Sequence, residues 1–397
     1  MVFFYVFAAL QIFLSYKSLR GGIEYLNFFK EELAKPESEY TPFATIIVPC
    51  RGKDFGLIEN LTSLFQQNYP EYEVVFVVDS KEDESFPILE DLSNKNVEKS
   101  KIVVAGNSLE NGQKIHNLRT ALLEVSKESE VFVFVDSDAR PNQNWLKSLV
   151  SPLEDKSVGC STGYRWFIQE NGGLATALQS VWNASIASNL GKNTGNNFCW
   201  GGSTAIRRTT FDKCKVAEKW KKVLSDDFAL ANILKKAGLG ICFVPNCLIA
   251  TIEDCTFKDL LEFTTRQMKI TRVYSPSHFK LSLIGSIIFI MTFWVGVLLL
   301  FFASHYHFWA AILFLIIVFL LGVLKSWIRI KAVKLVLGDY EKQLNWQLMP
   351  HLALWVVTPF LYLYNNINAL LSRQIVWRGI TYKMESPDKT TIIDREV

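Results

Sequence analysis

Paired carboxylates stand at two places in this sequence. Asp136 and Asp138 follow the apolar run 131–135, and Asp226 and Asp227 are adjacent. Two carboxylates at the end of a strand can hold a divalent cation, Mg²⁺ or Mn²⁺, and leave it open positions for diphosphate oxygens. The adjacent pair begins a helical run, where N-capping would use only one of the two side chains. Both pairs are therefore candidate site residues, although Asp-Ser-Asp is also typical of turns.

Other polar residues stand where predicted strands end or helices begin. Arg51 follows the strand that ends at Pro49, Asp79 ends the next strand, and Lys114 lies near the start of a predicted helix. No glycine-rich motif of the form G-x-G-x-x-G or G-x-x-x-x-G-K follows any predicted strand, which excludes dinucleotide-binding and P-loop sites. A phosphate bound here would have to be neutralised by other groups, such as a cation held by carboxylates.

Alternating strands and helices must position these residues. The predicted strands are 44–49, 73–79, 101–105 and 131–136, and the helices that follow them are 56–67, 86–94, 112–127 and 143–153. This alternation indicates a parallel sheet with right-handed crossovers. Because ligands bind beyond the carboxyl ends of such strands, we expect the candidate residues to meet at one edge. The turn Trp200-Gly201-Gly202 would let backbone approach a ligand closely.

The chain is more apolar than a soluble protein of 397 residues needs, with 49% hydrophobic and 20% charged residues. The excess is concentrated in uncharged runs at 1–16, 281–324 and 346–372. A bilayer core takes about 20 apolar residues per helix, so 281–324 is predicted to be a transmembrane hairpin that turns at 304–307. Residues 1–20 are predicted to be an N-terminal anchor rather than a signal peptide, because no basic region precedes the apolar run.

Basic residues orient these segments, because they follow both the first apolar run and the hairpin. By the positive-inside rule, residues 40–275 form a cytoplasmic domain. Residues 325–345 are predicted to be an interfacial helix, and residues 373–397 a cytoplasmic tail. Prolines interrupt the run 346–372, which is predicted to be embedded in the membrane. It either spans or re-enters, and re-entry is favoured because it returns the last basic residues to the cytoplasm.

Charge and cysteine usage exclude other classes. The net charge is only +3 and the soluble part has no basic stripe, so no nucleic-acid partner is expected. Seven cysteines without a C-x-x-C pair indicate free thiols in a reducing compartment rather than disulfides or a zinc site. No obligate protein partner is predicted.

In this order, the motifs resemble those of membrane-bound, family-2-type glycosyltransferases with a GT-A fold, and within them ceramide glucosyltransferase and its bacterial relatives. The resemblance runs from about residue 40 to 383. The matching segments are Ile47-Val48-Pro49-Cys50-Arg51-Gly52, Asp79, Asn111 to Asn117, Val135-Asp136-Ser137-Asp138, Gly201-Gly202-Ser203, Ser225-Asp226-Asp227 and Val376-Trp377-Arg378-Gly379-Ile380-Thr381-Tyr382. It implies a mixed α/β sheet flanked by helices, together with α-helical transmembrane segments.

The resemblance implies an inverting, metal-dependent glycosyltransferase. Glucose or a similar hexose would pass from a UDP-sugar to a lipid hydroxyl at the cytoplasmic membrane face. The acceptor would be ceramide, another sphingolipid or a glycerolipid, and the product a glycolipid. The protein would be an integral multi-pass membrane protein, with a bacterial inner membrane favoured over a eukaryotic endomembrane.

The same resemblance implies roles for individual residues. Asp227 would be the general base and Asp226 would raise its pKa, while Arg266 and Lys269 would stabilise the leaving diphosphate. The nucleotide-sugar contacts would be Pro49, Arg51, Asp79, Lys114 and Asp136, the metal ligands Asp138 and Asp136, and the acceptor contacts Trp200, Gly201 and Gly202. One segment departs from the family, because Lys269-Ile270 stands where the family has Arg-Trp. This substitution keeps the charge but not the planar fork of arginine.

Three alternatives remain open from the sequence. A processive polysaccharide synthase, such as cellulose, chitin or hyaluronan synthase, would need more spans and normally keeps the Arg-Trp pair. A polyprenyl-phosphate glycosyltransferase is barely separable by sequence from an enzyme with a sphingolipid acceptor. A catalytically silent membrane scaffold would not need the intact set of aspartates.

Overall fold

The structure is a computed structural model that describes residues 2–395. The chain forms two compact units. The unit that we call the sheet unit comprises Glu32–Trp166, Asn189–Thr251 and Arg373–Val397. The helical unit comprises Met1–Glu31, Phe167–Ser188 and Ile252–Ser372. Residues 167–188 and 252–275, which the sequence analysis placed in one soluble domain, thus pack in the helical unit, and the predicted domain boundaries stay a prediction.

The sheet unit is built on a seven-stranded mixed sheet. Its strands are β1 (Ala44–Pro49), β2 (Tyr72–Val78), β3 (Ser100–Val104), β4 (Val131–Phe134), β5 (Val158–Ile168), β6 (Thr204–Arg207) and β7 (Gly240–Ile252), in the order β3-β2-β1-β4-β6-β5-β7. Strands β1 to β4 pair in parallel, as predicted. Strand β6 runs antiparallel to both β4 and β5, which makes the sheet mixed.

The register of the parallel strands brings the candidate residues to one edge. Pro49 is opposite Val77, and Ile47 is opposite Phe134. These strands are almost continuously apolar and buried, as is expected where helices cover both faces of a sheet. The polar residues that follow each strand therefore emerge together at the carboxyl edge.

The sheet unit contains the helices predicted after the first four strands and at Asp226, together with helices at 208–213 and 216–219, which were not predicted. They are α2 (Leu57–Ser63), α3 (Phe86–Lys95), α4 (Gln113–Ala121), α5 (Trp145–Val150), α7 (Arg208–Lys213), α8 (Val216–Lys219) and α9 (Asp226–Lys236). Helix α4 ends six residues earlier than the predicted helix 112–127, because residues 122–128 form turns. All seven cysteines are free, as predicted.

A second sheet, β8 (Gln374–Trp377), β9 (Ile380–Ser386) and β10 (Lys389–Arg395), occupies the segment that was predicted to be a tail. Its strands are antiparallel in the order β10-β9-β8. Ile380, Tyr382 and Met384 alternate along β9 and are buried, so one face of this sheet is covered. The Thr390 amide donates to the Lys222 carbonyl at 2.8 Å, which ties β10 to the sheet unit.

The helical unit contains the remaining helices. They are α1 (Val2–Leu33), α6 (Leu174–Ala187), α10 (Phe257–Tyr274), α11 (Pro276–Phe289), α12 (Val295–Phe302), α13 (His305–Lys334), α14 (Glu341–Ala353) and α15 (Thr358–Leu371), with a π-helical turn at Ile290–Trp294 that joins α11 to α12. Ala8 of α1 packs against Phe289, Phe293 and Phe314 in one apolar cluster.

Within residues 2–395, three helices are long and apolar enough to cross a membrane: Val2–Leu33, Pro276–Phe302 and His305–Lys334. They correspond to the predicted anchor and hairpin, although the first helix continues past residue 20. The hairpin turn is shorter than the predicted 304–307, because extended backbone at Ala303 and Ser304 suffices and α13 already begins at His305.

Residues 325–345 are not the single helix that was predicted. Helix α13 continues to Lys334, and α14 begins at Glu341 after a 3-10 turn at Gly338–Tyr340. Gly338 and the loss of apolar periodicity after Leu337 favour an interruption of the helix over a continuous helix. The run 346–372 is interrupted by a 3-10 turn at Leu354–Val356, as its prolines suggested. Its re-entry into the membrane stays a prediction.

Candidate active site

A half-buried lysine lies between two carboxylates in the sheet unit. Asp136 follows β4, Asp226 begins α9, and Lys114 lies in the first turn of α4. The Lys114 Nζ atom is 2.6 Å from Asp136 Oδ1 and 3.3 Å from Asp226 Oδ2. Burial on its own lowers the pKa of Lys114, but the two carboxylates outweigh it and raise this pKa above its usual value. The lysine therefore stays charged, and the cluster is an ion-paired site.

Arg165 joins this cluster from the middle of β5. Its Nη2 atom is 3.8 Å from Asp136 Oδ2, and its Nη1 atom is 3.6 Å from Asp138 Oδ2. Its Cζ atom lies 4.9 Å from the centroid of the Trp200 ring, within cation–π distance. Burial opposes the ionisation of Asp136, yet Lys114 and Arg165 lower its pKa. The pKa of Asp138 is raised by burial.

A second set of bonds surrounds Asp79 at the end of β2. Its Oδ1 atom accepts a hydrogen bond from Asn117 Nδ2 at 2.8 Å, and its Oδ2 atom pairs with Arg51. Burial raises the pKa of Asp79, and the bonds from Asn117 and Arg51 oppose that rise. Asn117 Oδ1 accepts from Gln113 Nε2 at 2.8 Å, and Gln113 Oε1 accepts from Arg395 at 3.0 Å. Strand β10 thus orients Asp79 through a chain of hydrogen bonds.

The two adjacent aspartates have different surroundings. Burial raises the pKa of Asp226 to about 6, with Lys114 opposing and Asp227 adding to the rise. Asp227 is half-buried, and its Oδ1 atom accepts hydrogen bonds from the Phe228 amide at 2.7 Å and from the Ser225 hydroxyl. Asp227 thus contributes to the raised pKa of Asp226, and the predicted effect of Asp226 on Asp227 stays a prediction. These hydrogen bonds at the start of α9 involve only the Oδ1 atom of Asp227.

Close approach explains the two glycines at positions 201 and 202. A Cβ atom on Gly201 would lie 2.5 Å from Asp226 Oδ2 and 2.6 Å from Lys114 Nζ. A Cβ atom on Gly202 would lie 2.2 Å from the Trp200 ring. Neither contact leaves room for a side chain. The turn that was predicted to contact the acceptor therefore packs against the charged cluster, and its acceptor role stays a prediction.

The second sheet also reaches the loop that follows β1. Arg378 has a left-handed backbone conformation, with φ of 51°, and its guanidinium pairs with the Asp54 carboxylate. Ser137 Oγ donates to the other oxygen of Asp54 at 2.6 Å. Asp54 therefore connects the loop after β1 to Ser137, which follows β4, and to Arg378 in the turn between β8 and β9.

The structure separates the predicted site residues into two groups. The sheet unit contains Pro49, Arg51, Asp79, Lys114, Asp136, Asp138, Trp200, Gly201, Gly202, Asp226 and Asp227. Arg266 and Lys269 lie on α10 in the helical unit. The Cζ atom of Arg266 is 5.7 Å from the centroid of the Phe263 ring, and burial lowers the pKa of Lys269. Their predicted contact with the leaving diphosphate stays a prediction.

The residues at the end of β4 fit a divalent cation. Asp138 Oδ1 is buried without a hydrogen-bond partner, and a hard carboxylate oxygen left in this way can serve as a metal ligand. Across residues 2–395, no group of three or more His, Cys, Asp or Glu side chains is arranged to hold a metal ion. Asp136 and Asp138 would therefore provide a partial coordination sphere that oxygens of a diphosphate complete.

Sequence reasoning missed several residues of the site. Arg165 could have been found, because it is the only charged residue in the run 158–168. Asn117 and Arg378 lie in segments that resemble the family motifs, but no role was predicted for either residue. Asp54 and Arg395 carried no signal, because their contacts join positions that are far apart in the chain.

Known proteins are similar to this chain in sequence. Residues 4–390 match the family Glycosyl transferase family 21. Ceramide glucosyltransferase 1 of Caenorhabditis elegans is 23% identical over 206 residues, which are 50% of this chain and 43% of that protein. Hyaluronan synthase of Streptococcus pyogenes is 28% identical over 172 residues, which are 43% of this chain and 39% of that protein. The matches thus span less than half the length of these curated relatives.

A solved structure is also similar. The mannosyltransferase PcManGT from Pyrobaculum calidifontis, in complex with GDP-Man and Mn²⁺, has a TM-score of 0.48 and 17% identity over 92% of this chain and 99% of that chain. The family match confirms the predicted family and the glycosyltransferase class, and the strand order confirms the predicted mixed α/β sheet. The three apolar helices agree with the prediction of a membrane protein. This chain belongs to glycosyl transferase family 21.

Proposed function

We propose that this protein transfers a hexose from a UDP-sugar to the hydroxyl group of a membrane lipid, with inversion at the anomeric carbon. The observation that supports the proposal is the ion-paired Lys114, which lies between Asp136 and Asp226, together with the buried, unpartnered oxygen of Asp138. A diphosphate needs both cations and metal-binding carboxylates within a small volume, and this cluster provides them. Similarity to a ceramide glucosyltransferase and three apolar helices support a lipid acceptor.

The nucleoside would bind at the ends of β1 and β2. Asp79 is held in one orientation by Asn117 and Arg51, so its carboxylate can accept hydrogen bonds from the base or the ribose. Pro49 ends β1 beside it and would form part of the wall of this pocket. The raised pKa of Asp79 means that a partner that donates hydrogen bonds to the carboxylate would favour its ionised form.

The diphosphate would bind next to Lys114. Its ammonium group is already desolvated and oriented, so it can neutralise phosphate charge without reorganisation. Asp136 and Asp138 would hold a divalent cation, which supplies further neutralisation of the negative charge on the leaving group. We include Arg266 and Lys269 as cations that would stabilise the leaving UDP, on the resemblance of their segment to the family motif.

Asp227 would act as the general base. Its Oδ1 atom is occupied by the Ser225 hydroxyl and the Phe228 amide, which fix the carboxylate and leave Oδ2 outside these bonds. The acceptor hydroxyl would transfer its proton to Asp227 while its oxygen forms a bond to the anomeric carbon. The bond from that carbon to the diphosphate oxygen breaks, and UDP leaves with the electron pair. A positioned base typically contributes 10²–10⁴-fold to the rate.

The acceptor would arrive through the bilayer by lateral diffusion. Trp200, Gly201 and Gly202 would contact it, and the cytoplasmic face is favoured by the basic residues that follow the apolar runs. We favour a bacterial inner membrane. Ceramide, other sphingolipids and glycerolipids all offer a suitable primary hydroxyl group.

The test is a product assay with the purified full-length protein, a panel of UDP-sugars and a lipid extract. We expect one radiolabelled glycolipid and stoichiometric release of UDP. Asp227→Asn should abolish turnover and leave binding of the UDP-sugar within about threefold of wild type. Asp212→Asn is the matched control, because Asp212 is an exposed aspartate of the sheet unit. Turnover by Asp227→Asn at the wild-type rate would exclude Asp227 as the base.

A processive polysaccharide synthase is a second candidate, because the chain is 28% identical to a hyaluronan synthase over 172 residues. The same assay distinguishes the two functions. A lipid acceptor gives a product with one added sugar that partitions into organic solvent. A synthase gives a water-soluble polymer whose formation does not depend on the added lipid.

A further inference from the structure

Two basic side chains of α13 lie inside the helical unit. Arg329 is only 4% exposed, and Lys325 is half-buried one turn earlier. Residues four positions apart lie on the same face of a helix, so the two cations are neighbours. Lys325 Nζ donates to Ser18 Oγ of α1 at 2.6 Å. Arg329 Nη2 is 3.4 Å from His351 Nδ1 of α14, and Arg329 Nε is buried without a partner.

The partners of these cations carry no negative charge. Because the guanidinium of Arg329 can only donate, His351 Nδ1 is the acceptor and the imidazole proton lies on Nε2. Nε2 then donates to Ser180 Oγ at 3.1 Å, and Ser180 Oγ donates to the Phe167 carbonyl at 3.2 Å. In the part of the chain that the structure describes, neither Lys325 nor Arg329 forms an ion pair with Asp or Glu.

This arrangement is costly as it stands. A buried charge needs a counter-charge or a full set of hydrogen bonds, and Arg329 has neither. Two like charges four residues apart on a helix also repel each other. Ionisable residues inside membrane helices are costly and usually belong to a functional site. An anion between Lys325 and Arg329 would remove both costs, because it could accept hydrogen bonds from Nε and from Nζ.

The position along the helix indicates where this anion comes from. Helix α13 is one of the three helices that are long and apolar enough to span a bilayer, and it begins at His305. Lys325 follows about 20 residues later, or roughly 30 Å along the helix axis, which is the thickness of the hydrocarbon core. The two cations therefore lie at the depth of the lipid head groups, where phosphate is the main anion.

We propose that Lys325 and Arg329 form a binding site for the phosphate of an anionic membrane lipid, bridging α13 to α1 and α14. The planar guanidinium of arginine suits the tetrahedral phosphate, and the lysine adds a point charge beside it. Ser18 and His351 hold the two cations in place. The site is separate from the charged cluster of the sheet unit and does not depend on the proposed transfer reaction.

The test is a lipid-binding titration with the delipidated full-length protein in a neutral detergent. The probe is fluorescent phosphatidylglycerol, and the competitors are unlabelled phosphatidylglycerol, phosphatidylcholine and inorganic phosphate. We expect saturable binding, with displacement by phosphatidylglycerol at concentrations at least tenfold lower than by phosphatidylcholine. Displacement by inorganic phosphate at the same concentration as phosphatidylglycerol would refute a lipid source of the anion.

Variants locate the site. Arg329→Gln and Lys325→Gln should each weaken binding about ten- to hundredfold, the usual effect of removing one charge-assisted hydrogen bond. Lys331→Gln is the matched control, because Lys331 is an exposed cation of the same helix and should leave binding unchanged. Lys325→Gln also serves if Arg329→Gln does not fold, as judged by size-exclusion chromatography. Wild-type affinity in either folded variant, or equal losses in Lys331→Gln, would overturn the proposal.

Discussion

Gly201→Ala tests whether the charged cluster is the active site. The added methyl group would lie 2.5 Å from Asp226 Oδ2 and 2.6 Å from Lys114 Nζ, whereas ordinary contacts of this kind begin at 3.4 Å. Each polar atom would have to move by about 0.8–0.9 Å, the difference between these distances. Lys114 Nζ lies only 2.6 Å from Asp136 Oδ1. A displacement of this size along that direction would lengthen the contact to about 3.4 Å, which is longer than an ordinary N–H···O hydrogen bond and would weaken the ion pair.

The size of the effect follows from the bond that is lost. A hydrogen bond between charged groups contributes about 1.5–3 kcal/mol, and a misplacement of about 1 Å can lower a rate 10²-fold. We therefore expect Gly201→Ala to lower kcat/KM for the UDP-sugar about 10- to 100-fold. Since the methyl group acts on the cluster and not on the surrounding core, the thermal unfolding midpoint should change much less than the rate.

The assay measures initial rates of UDP release against donor concentration in the presence of lipid. Gly191→Ala is the matched control, because a Cβ atom on Gly191 would have no atom within 4 Å. It should retain activity within about twofold. A Gly201→Ala enzyme with the same kcat/KM as wild type, at equal folded concentration, would show that Lys114 and Asp226 do not act on the donor.

Further predictions concern ionisation, the relay to β10 and the metal. The pKa of Asp226 is raised from 3.8 to about 6 in the native state, so the native state binds one more proton than the unfolded state between these pH values. Binding of this proton stabilises the native state, and the stabilisation is lost as the pH rises through about 6. Asp226→Asn should therefore gain stability relative to wild type between pH 4 and pH 7, and parallel melting curves would contradict this. Arg395→Gln should raise KM for the donor about three- to tenfold by loosening Gln113, whereas Arg373→Gln, which loses only a bond to a backbone carbonyl, should not. EDTA should abolish transfer, and Mn²⁺ binding measured by calorimetry should weaken in Asp138→Asn; activity in metal-free buffer would argue against this role.

Much of the sheet unit could be predicted because its signals are local. Strands such as Ala44–Pro49 are short apolar runs that end in turn residues, and their alternation with helices indicates parallel pairing. The carboxylates that follow β2 and β4 could then be placed at one edge. The apolar helices were found for the same reason, since length and the absence of charge suffice.

Other features depended on long-range contacts. The strands of residues 374–395 were not predicted, because their apolar positions alternate only along β9. They pair with one another, but the bond from the Thr390 amide to the Lys222 carbonyl, which ties β10 to the rest of the sheet unit, joins positions far apart in the chain. The break between α13 and α14 was missed, because the basic and apolar residues of 325–345 also suit one amphipathic helix. Which carboxylate of the adjacent pair faces Lys114 depends on the direction in which α9 begins.

The sequence by itself determined the class of this protein: an α/β unit with aspartates at strand ends, joined to apolar helices, with motifs of a glycosyltransferase family. These properties follow from hydrophobic periodicity, residue spacing and composition, all of which can be read within a single segment of the sequence. Only the tertiary structure decided that Arg165 joins Asp136 to Asp138, that Arg395 supports Asp79 through two amides, and that Arg329 lies buried without a counter-charge. The physical reason is that charge and hydrogen-bond partners are matched across space, between residues whose separation along the chain carries no information about their contact.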